Sequence, residues 1–511
     1  MELVAKQSPR PSTIGDGTRV PTILERRRHN ELLPIHRLPP ELLHAIIVNS
    51  YTQVSYKHVF ALRSTCKHWK EIVDSIPQLW AQIALHHTTD FLSTILQKSK
   101  ARPLEVSCKK SNSENDRAFN ERVMNFLLQV GPTTGRWGSL HYSASTGAQH
   151  GWILGLPLHN LETLSVRISG TAVNYTGGFA APRLQNLDVH RLSLNWRSFS
   201  DLRSFQIDSC RPSPTVDELY MLLKSSPKLE HFKIARDWTS ATGRATDLSN
   251  VHSTPILLPR LRSIVVVQVP FVSYSRLLDL VESPNLHRFL AFHHFQDFSL
   301  DFTPMFESAG RFIGAPGDSH GDDDTSRISI SGTNDLFSVG VGDRRVILKN
   351  YEWARGTGQG ERRAALATVL GHFDVTSRES IKMIRISGFR SQETTDIAHV
   401  LNRKLPNVEE LEMKVCASSS ALAGLSILGR VSSSPADRKE DWLFPGLFRF
   451  QFYATKYLAC DRVLEVLKAR NLGPVQAIRQ LTIEGGRIRL DTVDKLREYL
   501  QEFNMTGTEV V

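Results

Sequence analysis

One apolar pattern, apolar-x-x-apolar-x-apolar, recurs through most of this 511-residue chain and narrows the folds open to it more than any other feature. It appears at Leu161/Leu164/Val166, Leu184/Leu187/Val189, Leu202/Phe205/Ile207, Leu229/Phe232/Ile234 and Leu261/Ile264/Val266. It returns at Ile381/Ile384/Ile386, Val408/Leu411/Met413, Leu447/Phe450/Phe452 and Ile478/Leu481/Ile483, with Trp137/Leu140/Tyr142 and Leu286/Phe289/Ala291 as weaker members. The last two positions of each triplet are spaced by two, the period of a strand with one buried face. Neighbouring triplets lie roughly 18 to 39 residues apart, leaving aside the gap after Phe289, which is room for a strand, a turn and a helix. Val216–Lys224, Tyr274–Val281 and Thr395–Asn402 read as helices, each followed by a proline (Pro227, Pro284, Pro406) and then a triplet. The expected architecture is an irregular solenoid of helix–turn–strand units, with parallel strands on one face, helices on the other and a continuous core between them. A generic α/β domain with coincidental leucines is the competing reading.

The start of the chain is patterned differently. Leu38-Pro39-Pro40-Glu41 is a helix start, because proline is tolerated where its missing N–H has no intrahelical partner and Glu41 sits at the positive end of the helix dipole. Leu42, Leu43, Ile46 and Ile47 follow as one expected apolar stripe. Val59, Phe60 and Leu62 suggest a second helix. Ser64-Thr65 then offers a cap for a third, carrying Cys66, Trp69, Ile72 and Val73 and stopped by Pro77, after which Leu79, Trp80 and Ile83 begin a short apolar face. Taken as pattern alone, this is a three-helix subdomain capping a larger protein.

The residues that carry that pattern are similar to a known family. LPPELL, then Leu62, then Cys66-x-x-Trp69, then Pro77-x-Leu79-Trp80 resembles the F-box, and more narrowly the F-box of the large fungal F-box families, over about Ile35 to Ile83. One departure is a connection at Asn49–His58 that is a few residues longer than usual. The helix–turn–strand units behind it resemble a leucine-rich repeat array. The F-box resemblance implies docking on the Skp-type adaptor of a cullin-based ubiquitin ligase through Leu38, Pro39, Leu42, Leu43, Ile47, Leu62, Cys66 and Trp69, some facing the adaptor and others holding the helices together. Cys66 is then a packing residue. The array would hold a protein target, and the chain itself would perform no covalent step and need no cofactor or metal.

The expected organisation is a disordered or partly helical basic leader over 1–33, the helical module over 34–100, the solenoid over 101–506 and a tail over 507–511. Glycine-rich or polar loops are expected near 310–335, 355–360 and 417–441, with Leu336–Lys349 as a hairpin inserted between repeats around Gly342-Asp343. The residues between the apolar triplet positions point away from the core, which gives a candidate target surface: Asp188, His190, Asp208, Lys233, Arg288, Phe292, Arg385, Glu412, Arg449 and Tyr453. Arginine and aromatic residues are enriched where partners bind, so Arg288 with Phe292 and Arg449 with Tyr453 stand out.

Several other chemistries find no support. Gly356, Gly358 and Gly360 lack the strand-and-helix setting of a nucleotide loop, and Asp322-Asp323-Asp324 lacks the ligand spacing of a calcium loop. Adjacent histidines at His86-His87 and His293-His294 diverge on either a helix or a strand, so neither pair chelates one metal. Five scattered cysteines without a CxxC pair argue for a reducing compartment and against disulfides or a zinc module. No apolar run approaches the roughly 20 residues that span a bilayer, and the first residues have no apolar signal-peptide core. The expected location is therefore cytoplasmic and/or nuclear. The net charge of +10 is spread along the chain, with Arg26-Arg27-Arg28 as its densest run, and reads as solvated surface rather than a phosphate-tracking groove. The functional alternatives are a repeat scaffold unrelated to ubiquitin transfer and a basic nucleic-acid-associated protein.

Overall fold

The computed structural model describes residues 22, 24–25, 34–50, 56–146, 148–235, 254–267, 274, 277–293, 307, 310–312, 327–332, 336–341, 344–350, 359–373, 378–379, 381–388, 391–405, 407–414, 443–453, 460–473, 475–485 and 487–510. The chain divides into two compact units, Met1–Leu104 and Glu105–Val511. The expected leader, apart from residues 22 and 24–25, and the expected loop over 417–441 lie outside the described residues.

In the first unit, helix α1 (Pro40–Ser50) opens on the second proline, and the Pro39 carbonyl accepts from the N–H groups of Leu42 and Leu43 at 3.0 and 3.1 Å. Helices α2 (Tyr56–Thr65) and α3 (Lys67–Ser75) follow, and both α1 and α2 pack on α3. The long connection expected at Asn49–His58 is shorter. Helix α1 continues through Ser50 and α2 begins at Tyr56, because the stretch holds no glycine or proline to stop either helix. The Tyr56 hydroxyl also donates to the Gln82 carbonyl, which pins the start of α2.

Ser64 and Thr65 do not cap α3. Their hydroxyls donate back to the Phe60 and Ala61 carbonyls at 2.7 and 3.2 Å and so close α2, while Cys66, in extended conformation, is the single residue separating the two helices. Pro77 ends the run as expected and opens a 3-10 turn, Pro77–Trp80, followed by strand β1 (Gln82–Ala84) and helix α4 (Thr89–Lys98).

In the second unit the strands are β2 (Leu104–Lys109), which starts at the unit boundary, β3 (Trp137–Ser145), β4 (Thr163–Ser169), β5 (Asn186–His190), β6 (Ser204–Asp208), β7 (His231–Ala235), β8 (Ser263–Val267) and β9 (Arg288–His293). They continue with β10 (Arg327–Gly332), β11 (Leu336–Val341), β12 (Arg344–Asn350), β13 (Met383–Ser387), β14 (Glu410–Lys414), β15 (Arg449–Tyr453), β16 (Gln480–Glu484) and β17 (Glu502–Thr506). From β3 to β9 each strand pairs in parallel with the next, and the same holds from β13 to β17. Residues of every apolar triplet named above are buried, none more than 3% exposed. The triplets thus form one side of the sheet, as their spacing predicts.

The register repeats from unit to unit. The Glu162 carbonyl accepts from the N–H groups of Gln185 and Asn186, that of Gln185 from Arg203 and Ser204, and that of Arg203 from Glu230 and His231, all between 2.7 and 3.1 Å. The carbonyls of Lys382, Glu409, Phe448 and Arg479 do the same for their successors. A second repeated device sits at the other end of the strands. The residue just past β4, β5, β6, β13, β16 and β17 has positive φ: Gly170, Arg191, Ser209, Gly388, Gly485 and Gly507.

The expected helix at Val216–Lys224 forms, with a capping box between Thr215 and Glu218, and Thr395–Asn402 lies inside a helix at Ser391–Lys404. Tyr274–Val281 differs at its end. Val281–Glu282 pairs with Ile256–Leu257 as a short parallel ladder, as β-branched Val281 favours.

The largest departure from expectation lies between β9 and β13. Strand β9 pairs in parallel with β12, β12 and β11 are antiparallel, β11 and β10 are antiparallel, and β10 pairs in parallel with β13. The expected hairpin at Leu336–Lys349 is therefore part of the sheet itself rather than an insertion beside it. The loop expected over 310–335 contains strand β10, whose Arg-Ile-Ser-Ile alternation follows residues rich in glycine and aspartate. At 355–360, Gln359 and Gly360 open a helix (Gln359–Gly371) and the remainder lies outside the described residues. The expected tail also contributes, since Glu509–Val510 pairs in parallel with Arg487–Ile488.

Gly388→Ala and Gly485→Ala place a side chain at left-handed backbone, which costs about 1 kcal/mol or more per site. Each substitution is expected to lower the thermal midpoint of the second unit, measured by scanning calorimetry on the full chain.

Candidate functional site

Side chains at the centre of the helical module close it around Trp80. Trp80 is fully buried and its indole Nε1 donates to the Val73 carbonyl at 3.1 Å. The Arg63 guanidinium and the Lys98 ammonium lie 5.3 and 4.9 Å from the Trp80 ring centre, within cation–π range. Asp74 holds both cations, with Nε of Arg63 at 2.8 Å and Nζ of Lys98 at 2.7 Å. Burial opposes the ionised Asp74 carboxylate, but the hydrogen bonds and charges of Lys98 and Arg63 outweigh it and hold the carboxyl below its ordinary range. Asp74 therefore ties α2, α3 and α4 together over the tryptophan.

With the core closed in this way, the residues implied by the F-box resemblance separate into three groups. Leu43 and Ile47 are buried, together with Val59, Ile72, Val73, Ile76 and Leu79, and hold the helices together. Leu38, Leu62, Cys66 and Trp69 are half-buried. Pro39 and Leu42 face outward, and Leu42 is 53% exposed. Helix α1 thus has two apolar faces rather than the one stripe expected, and its outer face carries Leu42 and Ile46 one turn apart, Ile46 being 47% exposed. Ile35 and Phe60 are exposed as well. The signal for Ile46 was present in Leu-Leu-His-Ala-Ile-Ile, where the apolar positions are too many for a single buried face.

Beside this core, His87 packs edge-on against Tyr56 and Phe91, at 5.1 and 5.0 Å between ring centres. Its Nδ1 accepts from the Ala84 N–H at 3.1 Å, which requires that nitrogen to be unprotonated. Burial, reinforced by the charge of His86, pushes the His87 pKa down to about 4.

On the outward side of the sheet, the candidate residues fall in cross-strand rows. Arg385, Glu412 and Gln451 share one row, and Tyr453 stands two residues beyond Gln451 on β15. Glu412 is buried, although it lies on the polar face, because two arginines close over it. Arg385 Nε donates at 2.5 Å and Arg327 Nη2 at 3.0 Å to Glu412 Oε2, and the Tyr453 hydroxyl donates to Oε1 at 3.3 Å. Arg449 Nη1 pairs with Glu410 at 2.6 Å and its Nε donates to Gln480, while Gln451 Nε2 donates to Glu484 at 2.6 Å. This end of the face is neutralised from within.

At the other end, Asp188 is contacted by Arg167 at 3.5 Å and by the Ser165 hydroxyl at 3.2 Å, beside a recess of about 620 Å³ lined by Lys109, His141 and Arg167 among others. Asp208 accepts from the Ser209 hydroxyl at 2.8 Å. His190 and Lys233 are half-buried and Arg288 is exposed on the same face. Phe292 sits on β9 in register with Val267. The structure therefore brings Arg385, Glu412 and Tyr453 together, sets Asp208, Lys233 and Arg288 around a second recess, and leaves Asp188 apart from both.

Among the described residues, no group of three His, Cys, Asp or Glu side chains is placed to hold a metal ion, and no helix is long and apolar enough to cross a membrane. Burial pushes the Cys108 and Cys210 thiols up to about 12, which leaves them as packing residues rather than nucleophiles.

Residues 35–86 match the model of the F-box-like family. The match spans α1 to α3, the Pro77–Trp80 turn and β1. No curated protein matches the chain. The first unit thus carries an F-box-like domain, and the second is built on a large, mainly parallel sheet.

Two outcomes follow from the module's core. Leu43→Ala should cost about 2–5 kcal/mol of stability, whereas Leu42→Ala should change it by less than about 0.5 kcal/mol, measured by denaturant unfolding followed through tryptophan fluorescence. For His87, the folded pKa of about 4 lies below the unfolded value of 6.5. Its contribution is therefore present above pH 6.5 and lost as pH falls toward 4. Melting midpoints of the first unit should drop across that window, and His87→Gln should flatten the dependence.

Proposed function

We propose that this protein is the substrate-recognition subunit of a cullin-based, SCF-type ubiquitin ligase, acting in the cytoplasm, the nucleus or both. The F-box-like domain docks on a Skp-type adaptor and through it on a cullin. The second unit, read as an irregular leucine-rich repeat array, presents its outward sheet face to a protein target. One observation carries the reading: within the F-box-like domain, α1 keeps Leu42 and Ile46 exposed although its opposite face already anchors it to the core. An apolar face left open by the described residues of its own domain is the mark of a docking surface.

The adaptor surface in this reading is Pro39, Leu42 and Ile46, with Ile35 and Phe60 adding apolar area. Leu38, Leu62, Cys66 and Trp69 support it, and Leu43 and Ile47 hold α1 at the correct angle. Covering the exposed half of Leu42 or Ile46 contributes about 1 kcal/mol each. The mechanism is proximity: target lysines held beside the ubiquitin-carrying enzyme gain a high effective concentration, and the chain contributes binding and orientation rather than chemistry.

Capture of a purified Skp-type adaptor by the full chain tests this. Wild-type protein should bind, and the double substitution Leu42→Asp with Ile46→Asp should weaken capture at least about tenfold while leaving the melting midpoint in place. Undiminished capture by the double variant would exclude this docking surface. Adaptor binding without cullin recruitment would favour an interaction scaffold unrelated to ubiquitin transfer.

A further inference from the structure

We infer that the target site on the outward sheet face is the zone spanning β7, β8, β9 and β12, and that it takes an acidic peptide segment carrying one bulky apolar side chain. This rests on the target-receptor reading above and adds the chemistry of the target.

The zone differs from the rest of the face in two ways. Its charges are not neutralised from within. Lys233, Arg288 and Arg345 form no ion pair among the described residues, in contrast to Arg327, Arg385, Arg449 and Arg167, which all do. Arg288 and Arg345 are also direct cross-strand partners in the β9–β12 ladder. Strands in a ladder lie about 4.8 Å apart, and like charges placed opposite each other are destabilising. The chain carries that cost at the surface, where an external carboxylate would relieve it, and an arginine fork suits a carboxylate in bidentate geometry.

The second difference is an apolar floor on a face that is otherwise polar. Val265, Leu290 and Ile347 are register partners on the outward side, and Ala235 and Val267 form the next row. Leu290 is only 5% exposed, so this floor is recessed. It lines a recess of about 360 Å³ together with Val267, Ala235, Lys233, Arg288 and Asp208. The sequence carries a trace of it. Ile264–Val267 and Phe289–Phe292 are continuous apolar runs, where a strand with one solvated face would alternate.

The rows give the site a direction. Arg288 and Arg345 occupy the row nearest the strand starts, Lys233 shares the middle row with Val265, and Asp208 pairs with Ala235 in the last row. Carboxylates of the ligand belong over the arginines, and the apolar side chain belongs over Val265, Leu290 and Val267. Asp208 disfavours acidic residues beyond it. A nucleic-acid strand fits less well, because the side chains that line the recess, Val265, Leu290, Ala235 and Val267, are aliphatic and the recess includes the Asp208 carboxylate.

Fluorescence anisotropy on the full chain tests this with a synthetic peptide bearing a glutamate run followed by a single phenylalanine. Three comparison probes are the same peptide with serine for phenylalanine, a lysine-run counterpart, and a single-stranded oligothymidylate. The acidic phenylalanine peptide should bind and weaken with added salt. Affinity should fall at least about tenfold on loss of the phenylalanine, and equally in Arg288→Glu or the milder Arg288→Gln, whereas Arg449→Gln should leave it unchanged. Preference for the lysine peptide or the oligonucleotide would overturn the inference, as would equal binding by the Arg288 variants. Adaptor capture on the same preparation separates the two readings. Capture without acidic-peptide binding sinks this inference alone, and peptide binding without capture sinks the ligase assignment alone.

Discussion

The structure of the second unit depends on the in-register parallel ladder, in which one backbone carbonyl per unit accepts two successive N–H groups from the next. That bond pattern recurs at Glu162, Gln185, Arg203 and Glu230, and again at Lys382, Glu409, Phe448 and Arg479. It fixes the point where each strand enters the sheet, so the apolar triplets stack in rows and the intervening residues stack in rows on the other side. A slip of one residue would exchange the two faces. The buried triplets make such a slip costly at every strand at once. The rows of arginines, carboxylates and amides on the outward face are thus a consequence of core packing rather than an independent arrangement.

The first unit rests on a different constraint. A fully buried tryptophan lies between two cations that share one carboxylate, and the three elements supplying those charges, α2, α3 and α4, are held in one geometry. Helix α1 has no part in that cluster. It joins through Leu43 and Ile47, leaving its other apolar face outside. A helix anchored by one face and apolar on both is suited to receive a second helix or groove, and the F-box-like match over residues 35–86 falls on this element and its neighbours.

Much of the fold was legible from local pattern. Period-two spacing placed the last two positions of every triplet in a strand and facing inward, and proline placement located the end of α3 and the helix-to-strand junctions after Lys224 and Lys404. Reading failed where composition outweighed pattern. Arg327–Gly332 follows a run of glycine and aspartate and reads as loop, yet it is the strand that joins the antiparallel section back to β13. The hairpin at Leu336–Lys349 was visible, but its place inside the sheet depends on pairing with β9 and β10, far along the chain. The connection read at Asn49–His58 is shorter in the structure, where helix α1 runs through Ser50 and α2 starts at Tyr56, which packs against Phe91.

By itself, the sequence determined which side chains of the strands face the core, because burial of one strand face is written in a period of two residues. Tertiary structure alone decided which of the remaining residues are available to a partner. Arg385 and Tyr453 looked as free as Arg288, yet both are engaged by Glu412, from 27 and 41 positions away along the chain. Leu42 and Leu43 are adjacent and equally apolar, yet one is buried and the other half exposed, because only the angle at which α1 meets α3 settles which face is covered. Charge neutralisation and the covering of a second apolar face are contacts between distant residues, and no local periodicity encodes them.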